Sequence, residues 1–396
     1  MLFLELQFHR ADLVRKRQSK LLLRKIISVA SIIGLLVSST PNAHALSVPS
    51  SFKKLATSST LAKPGIIVFD PATQTEIYSD LADVPRAPAS VLKLISATAA
   101  ITAFGPEKVF HTTISSTDDP DVFMMQGERD PWLTTSLQDS KKFKRALSTK
   151  LINEAVKNRD GYSGLKIKFN GMFDADIKSL RTFYGNKIKF ERISKPRVIP
   201  DQEPTEIARI TSPTLREILE FTLLWSDNVL ADRLARNAAV EMGYSRDDAS
   251  LNMAFEETLE LLKVDSTGLK VFDGSGLSRE NRVSVRTIAE LLLRIRSEPQ
   301  FQAIYDGLPL SGETGTLKKR FQEYGSAAKG LVKAKTGWIN RSVTLAGYVE
   351  AGESEYVFAI IANRVTPTEN SRDRARNIID KMLATIAKPL EIAAVG

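Results

Sequence analysis

Three short strings hold the residue types that covalent catalysis uses. Ser90 and Lys93 stand three apart at the head of an apolar run, "RAPASVLKLISATAA" (86–100). On a helix that spacing puts both side chains on one face. Burial there would strip water from the lysine and lower its pKa, leaving an amine able to take the serine's proton. The N–H groups at a helix start also suit a developing oxyanion. Ser226-Asp227-Asn228 interrupts a second apolar helical pattern, between "EFTLLW" and "VLADRLA". Such a conflict with helix propensity marks a functional position, a helix break or a solvated turn. Lys335-Thr336-Gly337, the only K-T-G in the chain, opens a strand-like run. It offers a cation and a hydroxyl to a carboxylate, and a glycine beside which a ligand backbone can lie close. Spacing alone selects nothing, because Ser51-Lys54 and Ser163-Lys166 also fit S-x-x-K. Only Ser90 opens an apolar helix.

The surrounding pattern must position these residues. "GIIVFDPATQTEIYSD" (65–80) alternates as a hairpin about Asp70-Pro71-Ala72, and a helix is expected from about Ala89 to Phe104, closed by Gly105-Pro106. From Glu107 to Gln202, β-like pieces surround one amphipathic helix near Ser140 to Arg159, the texture of an inserted α+β module. Helical patterning returns at 212–243 and at "VSVRTIAELLLRIRS". "AKTGWINRSVTLAGYVE" and "YVFAIIANRV" read as two adjacent strands, and "RDRARNIIDKMLATIA" as a closing helix. The order predicts an α+β core whose sheet joins both ends of the chain.

Composition narrows the chemistry. The 396 residues contain no Cys, so no thiolate nucleophile or cysteine zinc site can be built. Of three histidines, His9 and His44 fall in the N-terminal segment, leaving His111 alone to support any Ser-His-Asp arrangement. No metal and no cofactor are expected. Neither G-x-x-x-x-G-K-[ST] nor G-x-G-x-x-G nor G-x-S-x-G occurs, against an NTPase, a dinucleotide enzyme and an α/β-hydrolase.

The N-terminal segment reads as an export signal. A basic stretch from Arg15 to Lys25 precedes the apolar run Ile26 to Val37, and Ala43-His44-Ala45 suits cleavage, giving residues 1–45 as a signal peptide. A retained anchor is the other reading. Removing seven basic residues and two acids (+7 − 2 = +5) takes the formal charge from +9 to +4. The remainder has no Lys/Arg tract for nucleic acid, and its charge supports weak attraction to an anionic polymer such as a cell wall, with peripheral membrane association left open.

S-x-x-K, S-D-N and K-T-G in this order are shared by β-lactamases and penicillin-binding proteins. The chain resembles the low-molecular-mass class C penicillin-binding proteins, which are exported D-alanyl-D-alanine carboxypeptidases/endopeptidases. "GERDPWLTTS" (127–136), "DGSGLSRENRVS" (273–284) and "SGETGTLKKRF" (311–321) extend the likeness over about Gly65 to Val365. It implies a penicillin-binding-protein/β-lactamase-like transpeptidase fold, an antiparallel sheet flanked by helices. Residues 46–106 and 206–396 would form the catalytic part and 107–205 one smaller inserted domain. The interval from Ser90 to Ser226 is short for the family. "GMFDADIKSLRTFYG" resembles the first of its two nested extra domains, and the second is missing between Glu191 and Ile210.

The resemblance implies roles. Ser90 attacks the carbonyl between two D-alanines of a peptidoglycan stem peptide, and Lys93 takes its proton. Ser226, with Lys335, relays a proton to the leaving group, and Asn228 holds the substrate amide. Lys335, Thr336 and Gly337 receive the terminal carboxylate, and the N–H groups of Ser90 and Trp338 form the oxyanion hole. β-Lactam antibiotics would acylate Ser90. Trp338 replaces the family's usual hydroxyl residue after K-T-G. Arg279 reads as a contact for a substrate acid group or as a solvated loop arginine. Two rival readings are a serine β-lactamase and a catalytically silent wall-binding protein on the same fold. The first needs a deacylation base, for which "DASLN" (248–252) is the nearest string and reads as helix capping. Oligomeric state is not legible.

Overall fold

The computed structural model describes residues 47–159, 161, 164–194 and 205–389, so the segment expected to be a signal peptide and Ser163 lie outside the described residues. Helix α1 (Ser50–Ala56) precedes the expected hairpin of β1 (Gly65–Asp70) and β2 (Thr75–Asp80). The Asp70 carboxylate pins its turn by accepting the Ala72 N–H at 2.9 Å and the Thr73 hydroxyl at 3.0 Å. After α2 (Lys93–Phe104) come β3 (His111–Ser116), β4 (Val122–Gly127), α3 (Thr149–Arg159) and β5 (Leu165–Asn170). The chain continues through α4 (Asp174–Tyr184), β6 (Ile188–Arg192) and β7 (Glu206–Thr211). Four helices follow: α5 (Leu215–Trp225), α6 (Asn228–Glu241), α7 (Asp248–Leu261) and α8 (Val285–Ser297). Last are β8 (Val332–Ile339), β9 (Ser342–Ala351), β10 (Ser354–Ala362) and α9 (Glu369–Ala384).

Strands β2-β1-β10-β9-β8 form one antiparallel sheet, with β1 beside β10, so the sheet does join the two ends of the described chain. The two strands expected over residues 334–365 are three, because Asn340, left-handed at φ 36°, turns β8 into β9. Alternate residues face opposite ways. Ile67, Tyr348, Ala359 and Ile361 share a core with α2 and α5–α8. Ile66, Leu345, Phe358 and Ile360 pack with α1 and α9. Helix α2, buried almost throughout, is the central strut of the first core; each large apolar side chain there contributes about 1.5–3 kcal/mol.

The helix does not begin at Ala89 as expected. Ala89–Leu92 form a 3-10 turn, and Ala89 itself is left-handed at φ 49°. The preceding backbone is held from the sheet: the Ser342 hydroxyl donates to Ala87 O at 2.6 Å and the Thr344 hydroxyl to Pro88 O at 3.0 Å. Ser90 is thus presented by a strained, clamped turn.

Strands β6-β5-β4-β3-β7 form a second, mixed sheet, covered by α3 and α4 over Leu165, Ile167 and Phe169. The single helix expected near 140–159 is two, because Lys144 (φ 55°) closes a first helix at Leu137–Phe143 before α3 begins. Strand β7 carries this sheet to Thr211, past the expected boundary at 205; its side chains lack the apolar alternation that would have announced it. Both sheets belong to one compact unit, Leu46–Gly396. No helix among the described residues is long and apolar enough to cross a membrane.

The loop Asp273–Ser278 rests on the turn that carries Ser90. A β-carbon at Gly276 (φ 85°) would stand 1.9 Å from Ala89 O. Gly276→Ala is expected to destabilise the fold by about 1–4 kcal/mol. The measurement is the melting temperature, and an unchanged value would contradict this packing.

Candidate active site

Lys93, 1% exposed, is the centre of the site. Its Nζ lies 2.8 Å from Ser90 Oγ, 2.7 Å from Asn228 Oδ1 and 2.6 Å from Ser275 O. A neutral amine has two N–H donors and one lone pair. Asn228 Oδ1 and Ser275 O take the two donors, so the lone pair faces the Ser90 hydroxyl. Burial lowers the Lys93 pKa to about 7, against the opposing pull of the Asp273 and Asp227 carboxylates. Near neutral pH, therefore, much of Lys93 is in the form that accepts the Ser90 proton.

The S-D-N string is a junction between two helices. Ser226 ends α5 in the left-handed region (φ 60°), and Asp227 caps α6 by accepting the Leu230 N–H at 2.9 Å. Asn228 is the first residue of α6. The polar interruption is a break, as one reading held, and the break aims Ser226 and Asn228 at the Ser90 turn. Ser226 Oγ accepts from Lys335 Nζ at 2.9 Å, and the same ammonium donates to Thr336 O at 2.9 Å. Lys335 is fully buried, and burial holds its pKa well below the ordinary range, with the Lys93 charge pushing the same way.

K-T-G lies on β8, the edge of the first sheet. Ala334 N donates outward to Pro309 O at 3.0 Å, so by the period of two the N–H groups of Thr336 and Trp338 point to the same open edge. A β-carbon at Gly337 would lie 2.9 Å from Ser90 N and 2.1 Å from Thr344 Oγ1, so only glycine lets the strand and the serine turn meet. The N–H groups of Ser90 and Trp338 border the same gap. Thr336 Oγ1 lies 2.7 Å from Thr316 Oγ1, which sets two hydroxyls on the cleft wall. Trp338 is 47% exposed on the cleft wall, with the Arg372 guanidinium 4.5 Å from its ring centroid. The cleft, about 660 Å³, is lined by Ser90, Ser226, Asn228, Thr336, Gly337 and Trp338 among others.

The structure thus brings together Ser90, Lys93, Ser226, Asn228, Lys335, Thr336, Gly337 and Trp338. Arg279 is not among them: it is exposed on its loop and absent from the cleft lining. His111 lies on β3 of the second sheet, its Nδ1 3.0 Å from Thr211 Oγ1. Asp248 pairs with Arg236 at 2.8 Å in the first turn of α7, which Asp247 caps. "DASLN" is capping.

Three contributors were not singled out in the sequence: Asp273, Ser275 and Thr316. The Asp273 carboxylate gathers the N–H groups of Ser275 (2.7 Å), Gly276 (2.6 Å) and Ser278 (2.6 Å). Burial would raise its pKa, but the Ser275 hydroxyl and these N–H donors prevail and hold it below the usual carboxylate range. The ionised carboxylate fixes Ser275 O against Lys93. An Asp followed by small residues in "DGSGLS" was the available signal.

Residues 51–157 and 189–388 match the profile of the D-Ala-D-Ala carboxypeptidase 3 (S13) family. The chain is 39% identical over 168 residues to a D-alanyl-D-alanine carboxypeptidase of Actinomadura sp. (strain R39), a match covering 41% of this chain and 31% of that protein. It is 33% identical over 187 residues to carboxypeptidase DacB of Mycolicibacterium smegmatis, covering 46% of this chain and 39% of that protein. The matched stretches therefore span under half the length of these relatives. The fold aligns with the crystal structure of penicillin binding protein 4 from Haemophilus influenzae at a TM-score of 0.66 and 16% identity, over 84% of this chain and 98% of that one.

The neutral-lysine geometry gives the pH dependence. The Lys93 pKa is lowered to about 7, so the base form grows as pH rises. The second-order rate of Ser90 acylation should climb about tenfold per unit below that value and level off above it. Lys93→Arg, which keeps the charge but cannot lose the proton, should acylate about 100- to 10,000-fold more slowly. A flat profile between pH 5.5 and 8.5, or an active arginine variant, would rule Lys93 out as the base.

Proposed function

The chain belongs to the D-Ala-D-Ala carboxypeptidase 3 (S13) family, and from there we propose that it is an exported serine D-alanyl-D-alanine carboxypeptidase/endopeptidase. Its substrates would be peptidoglycan stem peptides, and penicillin would acylate it at Ser90. The observation that carries this reading is the buried Lys93 Nζ, 2.8 Å from Ser90 Oγ, with Asn228 Oδ1 and Ser275 O as its other two partners.

The steps follow from the groups present. Substrate lies along the open edge of β8 with its terminal carboxylate at Lys335, Thr336 and Thr316. Thr316 supplies a hydroxyl where Trp338 has none. Asn228 spends Oδ1 on Lys93, which leaves Nδ2 to donate to a substrate carbonyl. Ser90 Oγ attacks the carbonyl carbon of the penultimate D-alanine as its proton passes to Lys93. The N–H groups of Ser90 and Trp338 receive the oxyanion. The C–N bond then breaks, and Ser226, between the two lysine systems, passes a proton to the leaving amine. Water cleaves the ester, releasing the shortened peptide and restoring the Ser90 hydroxyl. A β-lactam carbonyl meets the same nucleophile. Asp248, the nearest candidate in the sequence for a deacylation base, is engaged by Arg236 at 2.8 Å, which disfavours a β-lactamase.

Incubation with labelled penicillin should give one stable adduct on the wild type and none on Ser90→Ala. A peptide ending in D-Ala-D-Ala should lose D-alanine only with the wild type. Rapid turnover of the penicillin would favour the lactamase, and neither adduct nor D-alanine would favour the silent wall-binding protein.

Trp338→Ser restores a hydroxyl beside the carboxylate site. One such hydrogen bond contributes about 1 kcal/mol, so KM for a D-Ala-D-Ala peptide should fall roughly fivefold. An unchanged KM would mean Thr316 already fills that role.

A further inference from the structure

Apart from the catalytic cleft, a cavity of about 220 Å³ lies among the 3-10 turn Ser59–Leu61, the segment after β10 and the first turns of α9. Ser59, Thr60, Thr366 and Ser371 bring hydroxyls to its walls, and Arg364 and Arg374 bring guanidinium groups. No carboxylate among the described residues lines it.

The arginines of α9 are not equivalent. Arg372 pairs with Glu369 at 2.6 Å and with Asp373 at 3.2 Å, and Arg376 pairs with Asp373 at 3.2 Å. The acids of the first turns are thereby taken. Arg374 is left with the Ser371 hydroxyl oxygen at 3.0 Å, which also accepts from Thr368 Oγ1 at 2.9 Å. Ser371 is 9% exposed, and its own hydroxyl proton has no acceptor among the described residues. Arg364 is exposed and has no carboxylate partner among them either.

A third guanidinium adds to this positive corner. Arg86, 3% exposed, donates through Nη1 to Asn363 Oδ1 at 2.8 Å, while its buried Nε has no partner. Burial, then the Arg364 charge, lowers the Arg86 pKa against the opposing pull of Asp80. The positive end of α9 contributes to the same field. An anion in the cavity would offset charge that no acid of the cavity wall offsets.

We propose that this cavity is a phosphate-ester site, in which the Arg364 and Arg374 forks and the Ser371 hydroxyl converge on the oxygens of one phosphoryl group. Guanidinium forks match phosphate oxygens in pairs, and donors arriving from separate segments suit a tetrahedral group better than a planar carboxylate. The ester is either soluble or part of an anionic phospholipid headgroup. Neither source rests on the peptidase reading. The site is joined to the cleft through α9, because Arg372, two residues before Arg374, is the residue seated on the Trp338 ring.

Calorimetry on the full chain with glycerol phosphate at low salt tests the site. Binding should weaken roughly 10- to 100-fold in Arg364→Gln and in Arg374→Gln, with the melting temperature unchanged because both side chains are exposed. Arg374→Lys, which keeps the charge without the fork, should fall between wild type and Arg374→Gln. Lys178→Gln, which removes an exposed charge on α4, should bind as the wild type does. Co-sedimentation separates the sources, read as the excess retained on phosphatidylglycerol-containing vesicles over phosphatidylcholine alone. An excess lost in the Arg364→Gln/Arg374→Gln double variant supports the lipid headgroup. No excess, with glycerol phosphate still bound, supports the soluble ester. Binding of neither probe overturns the site, as does binding that survives both substitutions or weakens equally in Lys178→Gln.

Discussion

The site depends on keeping one amine out of water. A buried ammonium costs several kcal/mol unless it is paired or loses its proton, and Lys93 is given polar partners from three separate segments: its own helix turn, the start of α6 and the Asp273 loop. None of those segments could reach it with ordinary backbone geometry. Ala89 and Ser226 are left-handed, and Gly276 and Gly337 each stand where a β-carbon would strike the Ser90 turn. The strain and the glycines cluster around one functional contact, and the well-packed sheet–helix core behind them supplies the stability that tolerates it.

The second buried lysine gives the first its direction. Burial holds the Lys335 pKa down, and a charge on Lys93 lowers it further. In the mechanism proposed above, a Ser90 proton passed to Lys93 would therefore be poorly retained. Ser226 accepts from Lys335 and sits at the helix break beside Asn228, so the outlet is toward whatever amine is leaving the cleft. A charge on Lys93 thus disfavours a charge on Lys335, as in other pairs of coupled titratable groups.

The catalytic strings were legible because each carries its own conflict with local propensity. A lysine in an apolar helix, Ser-Asp-Asn inside a helical pattern and the lone K-T-G all violate the pattern around them. The α+β core, the joining of both ends in one sheet and the closing helix followed from the order and pattern of the elements, and the antiparallel sheet from the family resemblance. Other features rest on tertiary contact and left no periodic trace. The 3-10 entry to α2 is imposed by β9 hydroxyls gripping the Ala87 and Pro88 carbonyls from 255 and 256 residues away. Strand β7 is half-exposed and pairs only through β3. Asp273 breaks no pattern in the sequence, and only the fold sets Ser275 O against Lys93. Arg279 carried the right charge for an acid contact, but its loop leaves it in solvent, and nearness to a motif could not reveal that.

The second sheet is tied to the chemistry through α6. Arg233 stands on the helix that Asn228 begins, and it bridges to Asp176 on α4 while donating to Leu133 O at 3.3 Å. Arg145, buried beneath, caps the carbonyls of Pro131, Trp132 and Leu133. Removing one partner of such a buried pair leaves an unpaired charge and costs about 3–5 kcal/mol, whereas a surface pair costs little. The insert thus holds the helix that orients Asn228, and Asn228 in turn holds the Lys93 amine. Lys93, Asn228 and Lys335 stay on the first sheet and the helices packed against it.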